Sequence, residues 1–370
     1  MGLSDSALLH VVMQFNFAGQ FLSALPYGHG HINDTYEARF LLPGGQIKRY
    51  ILQSINTRVF RDPVALMENI EQVTSHLRRA IDAAGGDADR ETLTLIRTRE
   101  DKAWYLAEDG GFWRAYLFIE GAVSLEQADN NDQFFQAALA FGRFHQLLQG
   151  FPAEVLHETI ADFHNTPKRF QDLLTAARQD RAGRASQVQS ELAFVKAHES
   201  ELSLLVEAWK NGDLPLRVTH NDTKLNNVML DSETGEGICV IDLDTVMPGL
   251  ALYDYGDAIR YGASTAAEDE SDMEKVWFDL DKAEAFTRGF FEKAGTILTP
   301  REIELAPWGA KIMTLECGMR FLTDYLNQDQ YFKIQYPDHN LVRARTQFKL
   351  VADMECKWNQ YAQRCQMLRC

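Results

Sequence analysis

Asp222, Asn227 and Asp242 are oxygen-bearing side chains at a spacing that suits the handling of a polyphosphate. Two stand in His220-Asn221-Asp222-Thr223-Lys224-Leu225-Asn226-Asn227, an H-x-D-x-x-x-x-N string. The third stands in Val240-Ile241-Asp242-Leu243-Asp244, an apolar strand whose first aspartate follows Asp222 by twenty positions. Phosphoryl transfer from a nucleotide needs a carboxylate to orient and deprotonate the attacking hydroxyl, and hard oxygen ligands for a divalent cation. Asp222 suits the first task, and Asn227 and Asp242 suit the second, with Mg²⁺ as the ion. The plainer reading, a capped turn before an unrelated buried strand, leaves this combination of types and order unexplained. Asp244 and Thr245 follow directly, and Asp244 is expected to orient loop amides rather than bind metal.

Such residues must be held between two bodies. Leu8, Leu9, Val12, Met13 and Phe15 recur at helical spacing, and strands follow from Phe21 to Gln53. Asp62-Pro63 opens a helix with a stripe of Leu66, Ile70, Val73 and Leu77. Strands are predicted around Leu93–Thr98, Trp104–Ala107 and Trp113–Glu120. Helices are predicted beyond, over Phe134–Leu148, Phe163–Ala176 and Ser190–Trp209, and from Asp254 to the C-terminus with breaks near Pro300, Pro307 and Pro337. His145 reads as a satisfied core histidine. The fold class is therefore α+β in two lobes: a small β-rich N-terminal lobe over 1–121, ending in a crossing segment, and a larger, mainly helical lobe over 122–370.

The small lobe offers weaker signals. Gly28-His29-Gly30 lies in a strand-to-strand turn whose backbone amides could cover nucleotide phosphates. Tyr50-Ile51-Leu52 leads to Gln53, where a kinase strand places a lysine paired to a helical glutamate. Glu71, or less favourably Glu68, is the candidate partner. By strand parity Arg49, not Lys48, shares a face with Gln53. Either an amide and metal suffice or another cation reaches in. Phe118-Ile119-Glu120 occupies the crossing segment, where Phe118 and Glu120 would flank a base bonded to backbone. Arg320, emerging from an apolar helix, reads by itself as structural.

A net charge of −16 argues against nucleic acid or an anionic membrane as partner. Five scattered cysteines form no C-x-x-C pair, as expected of reduced thiols in a cytoplasmic protein. No membrane-spanning run occurs, and a monomer is expected over an oligomer.

The H-N-D-T-K-L-N-N and I-D-L-D strings resemble the aminoglycoside phosphotransferase superfamily, which has a protein-kinase-like fold. Pro26–Asn33, Arg217–Asn227, Ile241–Gly249, Arg260–Thr265, Glu316–Leu322, Tyr331-Phe332 and Tyr336–Arg345 resemble its N-acetylhexosamine 1-kinase subfamily across almost the whole chain. The resemblance implies ATP as co-substrate, Mg²⁺, and phosphorylation of an N-acetylhexosamine at the anomeric hydroxyl. It makes Asp222 the base, Asn227 and Asp242 the metal ligands, and Asp222, His31, Thr245, Tyr261, Arg320 and Tyr331 the sugar site. That reverses the unaided reading of Arg320. His29 departs from the subfamily, where an acidic residue is expected. The alternatives are a kinase of another small alcohol, of aminoglycoside, choline or homoserine type, or a nucleotide-binding pseudokinase, which Gln53 suggests.

Overall fold

Strand alternation builds the first layer of the computed structural model, which describes residues 5–28 and 32–368. Helix α1 (Asp5–Val12) precedes strands β1 (Gln20–Pro26), β2 (Asp34–Leu41) and β3 (Ile47–Ile55). Helices α2 (Pro63–Ala83) and α3 (Ala88–Glu91) and strands β4 (Tyr105–Leu106) and β5 (Phe112–Leu117) follow. The antiparallel sheet runs β1-β2-β3-β5-β4. One face, through Ala38, Phe40, Tyr50, Leu52, Trp113 and Ala115, packs on Leu8, Val11, Val12 and Phe15. Leu9 and Met13, expected in that stripe, are exposed instead. The other parity puts Ile55, Phe112 and Tyr116 on the α2 side, and with them Gln53 and Arg114. Helix α2 is capped by Asp62, which accepts from Ala65 N at 3.0 Å, and has Pro63 in its first turn.

The helical part begins with β6 (Ala122–Val123), α4 (Asn131–Leu147), α5 (Thr166–Gln179), α6 (Gln189–Ala197) and α7 (Leu204–Lys210). Then come β7 (Arg217–Thr219), β8 (Val228–Asp231), β9 (Gly237–Val240) and β10 (Met247–Gly249). Helices α8 (Ala251–Gly262), α9 (Leu280–Ala294), α10 (Pro300–Leu326), α11 (His339–Cys356) and α12 (Trp358–Met367) complete it. β7 pairs with β10, and β6, β8 and β9 form a second small sheet. Helices α8 and α10 cross so closely that a Cβ on Gly256 would lie 2.3 Å from the Gly309 carbonyl oxygen. No helix among the described residues is long and apolar enough to cross a membrane.

Three expectations fail locally. Leu93–Thr98 forms only isolated bridges, Leu95 to Tyr116 and Thr98 to Phe15, because β4 already occupies part of the free edge of β5. Ser190–Trp209 is two helices with a 3₁₀ turn at Glu199–Glu201 between them. Pro307 does not break α10. Ile303, Ala306, Gly309, Ala310, Ile312 and Met313 around it are all buried, and this packing outweighs the roughly 3 kcal/mol that an interior proline costs.

Candidate active site

Two short ribbons bring the polar strings together. Thr219 on β7 faces Met247 on β10, and Val228 on β8 faces Val240 on β9, so 220–227 and 241–246 emerge side by side. Ile241 N donates to the Asn227 carbonyl at 2.9 Å, and His220 Nε2 lies 2.8 Å from the Ile241 carbonyl oxygen. Asn221 and Asp242 both hold left-handed backbone, φ 64° and 58°. Asparagine and aspartate enter this region more readily than other residues with a Cβ, and here the surroundings enforce it.

At Asn221 the enforcement comes from a buried carboxylate on α8. Asp254 accepts from His220 N at 2.8 Å and Asn221 N at 2.7 Å, while His145 Nε2 lies 2.8 Å from the same carboxylate. Burial works to raise the pKa of Asp254, but the His145 and His220 contacts hold it below the usual carboxylate range. One turn on, Asp257 accepts from Thr223 N at 3.0 Å. His145 is thus a core histidine whose partner is the anchor of the loop.

Within the loop, Lys224 Nζ lies 2.8 Å from Asp222 Oδ1. Asn227 Nδ2 donates to the Asp222 carbonyl at 2.8 Å and to its Oδ2 at 3.2 Å. Burial opposes ionisation of Asp222, yet the charge and hydrogen bond of Lys224 carry its pKa below the usual range. Asp242 behaves oppositely. The residue keeps surface exposed, but the protein around its carboxylate and the charges of Asp244 and Asp222 push its pKa up to about 6. With the Asn227 amide nitrogen spent on Asp222, the amide oxygen is left to accept. Such an oxygen beside mutually repelling carboxylates is a donor set that fits a hard divalent cation.

The nucleotide-side expectations divide. Gln53 does not meet Glu71. Glu71 pairs with Arg97, and Glu68 lies 2.7 Å from His157 Nε2. The side of α2 turned inward presents Asn69, which donates to the His157 and Val246 carbonyls at 2.8 and 3.0 Å. Glu71, two residues on, is rotated about 200° around the helix. Gln53 instead accepts from Arg114 Nε at 3.0 Å and donates to Thr35 Oγ1 at 2.9 Å. Arg114 forms an ion pair with Asp244, which also accepts from Asn33 Nδ2 at 2.6 Å. Asp244 is therefore tied to side chains of the small lobe, not to loop amides as expected. Arg49 stacks over the Phe118 ring at 3.8 Å, and its Nε donates to Glu120 at 3.0 Å. Tyr27 meets Phe118 edge-on. Gly28 is in the left-handed region with open space around it; Gly30 and His31 lie outside the described residues.

Of the residues expected at the acceptor, Thr245 Oγ1 donates to the His220 carbonyl at 2.6 Å, and Tyr261 OH donates to the Glu126 carbonyl at 3.3 Å. Arg320 has Phe163, Phe332 and Tyr331 rings at 5.1, 5.7 and 5.9 Å, and no hydrogen-bonding or ion-pair partner among the described residues. Arg169 donates to the Phe163 carbonyl at 2.9 Å. Burial and the neighbouring Arg320 charge lower its pKa. Tyr331 is held through its backbone: Asp324 accepts from the amides of Gln330, Tyr331 and Phe332, each at 2.9 Å.

Lys224, Arg114, Asp254, Arg169 and Asp324 were missed in the sequence. Lys224 lies inside the motif itself, two residues from Asp222. Arg114 becomes visible once the β3–β5 register puts it opposite Gln53. The other three carry no local signal.

A family model described as APH, phosphotransferase enzyme family, matches residues 23–286. Among solved structures, a microcompartment-associated aminopropanol kinase is similar over 97% of this chain and 99% of its own, with TM-score 0.65 and 16% identity. A spectinomycin phosphotransferase in complex with ADP and spectinomycin is similar over 100% and 99%, with TM-score 0.57 and 14% identity. Choline kinase from Cryptosporidium parvum Iowa II is similar over 93% and 92%, with TM-score 0.56 and 12% identity.

Proposed function

Since the chain belongs to the phosphotransferase enzyme family, we propose that it transfers the γ-phosphoryl group of ATP to the anomeric hydroxyl of an N-acetylhexosamine, N-acetylglucosamine or N-acetylgalactosamine. The products are the hexosamine 1-phosphate and ADP. The observation that carries this choice of acceptor is the Arg320 wall. A guanidinium without a carboxylate partner, framed by Phe163, Tyr331 and Phe332, suits a neutral ring with apolar faces and oxygen acceptors. A cationic aminoglycoside or choline would meet like charge from Arg320 and Arg169. The nearby acids are engaged elsewhere: Glu316 with His164 and Thr166, and Asp257 and Glu268 with Arg260.

Asp222 orients the anomeric hydroxyl and accepts its proton as the new O–P bond forms and the bond from the γ-phosphorus to the ADP oxygen breaks. Its low pKa keeps it ionised, and because an anomeric hydroxyl is more acidic than a simple alcohol, a weak base suffices. Asp254 fixes the loop so that this orientation is set before the acceptor arrives, which is where most of the acceleration should arise. Asn227 and Asp242 would hold Mg²⁺, which when bound neutralises phosphate charge. The test is ATP consumption with N-acetylglucosamine, N-acetylgalactosamine, galactose, choline and an aminoglycoside, for the native chain and Asp222→Asn. Turnover with N-acetylhexosamines that is lost in the variant is expected. Asp222-dependent turnover on the amines alone would overturn the reading.

A further inference from the structure

The small lobe lacks the lysine that a kinase strand points at the nucleotide phosphates, yet it does not lack a cation on that face. β3 and β5 pair so that Gln53 faces Arg114, and directly opposed side chains on one face of a ladder are neighbours. Arg114 is 1% exposed and Asp244 is 4% exposed, so this ion pair lies out of water. The pair crosses between lobes: Arg114 belongs to the small sheet, and Asp244 follows β9 by four residues. Asn33, just before β2, adds a second bond to Asp244 and accepts from Asn56 N at 3.0 Å. Gln53 extends the grip to Thr35 on β2.

We infer that Arg114 takes over part of the missing lysine's task as a positioning residue: through Asp244 it sets the Asp242 carboxylate relative to the sheet that covers the nucleotide. The reason is mechanical as well as electrostatic. Asp242 lies two residues before Asp244 in left-handed backbone, so a fixed Asp244 side chain restricts how that carboxylate can turn. Shifting the small sheet away from this segment would leave two buried charges unpaired, which is strongly unfavourable. The α2 glutamate does not share the grip on Asp244, because Glu71 is bound to Arg97; the helix holds the same segment elsewhere, through Asn69 on the Val246 carbonyl. The Asp244 carboxylate is therefore held by side chains of the small lobe, Arg114 and Asn33, rather than by the helix glutamate.

The test is direct binding of ADP to the full chain by calorimetry, with and without Mg²⁺. Arg114→Met is expected to weaken Mg²⁺-dependent ADP binding by about 10- to 100-fold, the usual cost of losing a partner that orients a metal ligand. Binding of ADP without Mg²⁺ should change much less. Arg114→Lys keeps the charge but loses the two-pronged geometry, and should fall between. Arg217→Met, which breaks the Arg217–Glu302 pair (2.7 Å) elsewhere, should lower the melting temperature and leave ADP affinity as it is. If Arg114→Met does not fold, Arg114→Met combined with Asp244→Asn removes both buried charges and should fold while still binding Mg²⁺·ADP weakly. Native Mg²⁺·ADP affinity in the folded single or double variant would overturn the inference and leave the pair a core salt bridge.

Discussion

The loop proposed to carry the base and the wall proposed to face the acceptor are held by different means. Residues 220–227 are held through backbone amides by the buried carboxylates Asp254 and Asp257, so the position of Asp222 depends on no exposed side chain. The wall mixes two means: the side chains of Arg320 among three rings and Arg169 on a single carbonyl, and the exposed Tyr331 on a loop whose backbone amides are strapped to Asp324. The first arrangement fixes one geometry. The second rests on contacts that can be exchanged singly at little cost to the rest of the molecule. If Asp222 and Arg320 act as proposed, the chemistry and the choice of acceptor are separable, and substitutions in the two regions should part into losses of kcat and of KM.

The largest effect expected is on the loop side. Asp222→Asn should lower kcat by about 10²–10⁴-fold, the usual worth of a positioned general base, with KM for either substrate little changed. Steady-state kinetics on a variant shown to be folded by circular dichroism check this, and a kcat within threefold of native would break the comparison.

Next is Asp254→Ala, which strips two buried amides and His145 of their shared partner. A stability loss of about 3–5 kcal/mol is expected from breaking such a buried network, read by urea denaturation. A variant as stable as native would mean that the loop holds itself.

On the wall, Arg320→Met should raise the acceptor KM by about 10-fold, in line with loss of a charge-assisted hydrogen bond, while KM for ATP stays put. Asp324→Asn should do the same to a lesser degree, about threefold, because it loosens the Tyr331 loop without touching the acceptor. An equal fall in kcat for both would show that the wall takes part in the chemistry.

The smallest effect is a pH response that separates the two sides. Asp242, raised to about 6, is ionised above that pH, so Mg²⁺-dependent nucleotide binding should be full at pH 7 and lost as pH falls through about 6. The same shift has the reverse sign for the metal-free protein. The stability contributed by neutral Asp242 is fully present below the usual carboxylate pKa of about 4 and is lost as pH rises through about 6. Acceptor binding should not follow either limb. Calorimetric titration of Mg²⁺·ADP from pH 5 to 8 and melting curves of the metal-free chain read the two signs.

How much of this could be read beforehand follows from how far apart the partners lie in the chain. The α+β class, the small sheet and the helical remainder were legible because alternation and helical spacing are local properties. That Asp222, Asn227 and Asp242 come together was legible because two lie in one short string and the third just beyond the strand beside it. Pro307 misled because helix breaking is a local tendency, while the burial that overrides it is supplied by distant helices. Glu71 misled because a kinase precedent chose the residue, whereas the rotation of α2 is set by Asn69 reaching His157 and Val246.

By itself, then, the sequence determined the chemical types in the loop, their order, and the periodicities that make two lobes. Only the tertiary structure decided that Gln53 is served by Arg114, that Asp244 ties the lobes together, and that His145 reaches the loop through Asp254. It alone left Arg320 without an acidic partner among the described residues. The physical reason is that a buried charge is defined by whatever folding brings against it, and these partners lie 61, 130 and 109 residues apart in the chain. Spacing along a string can announce a base; it cannot announce what will neutralise it.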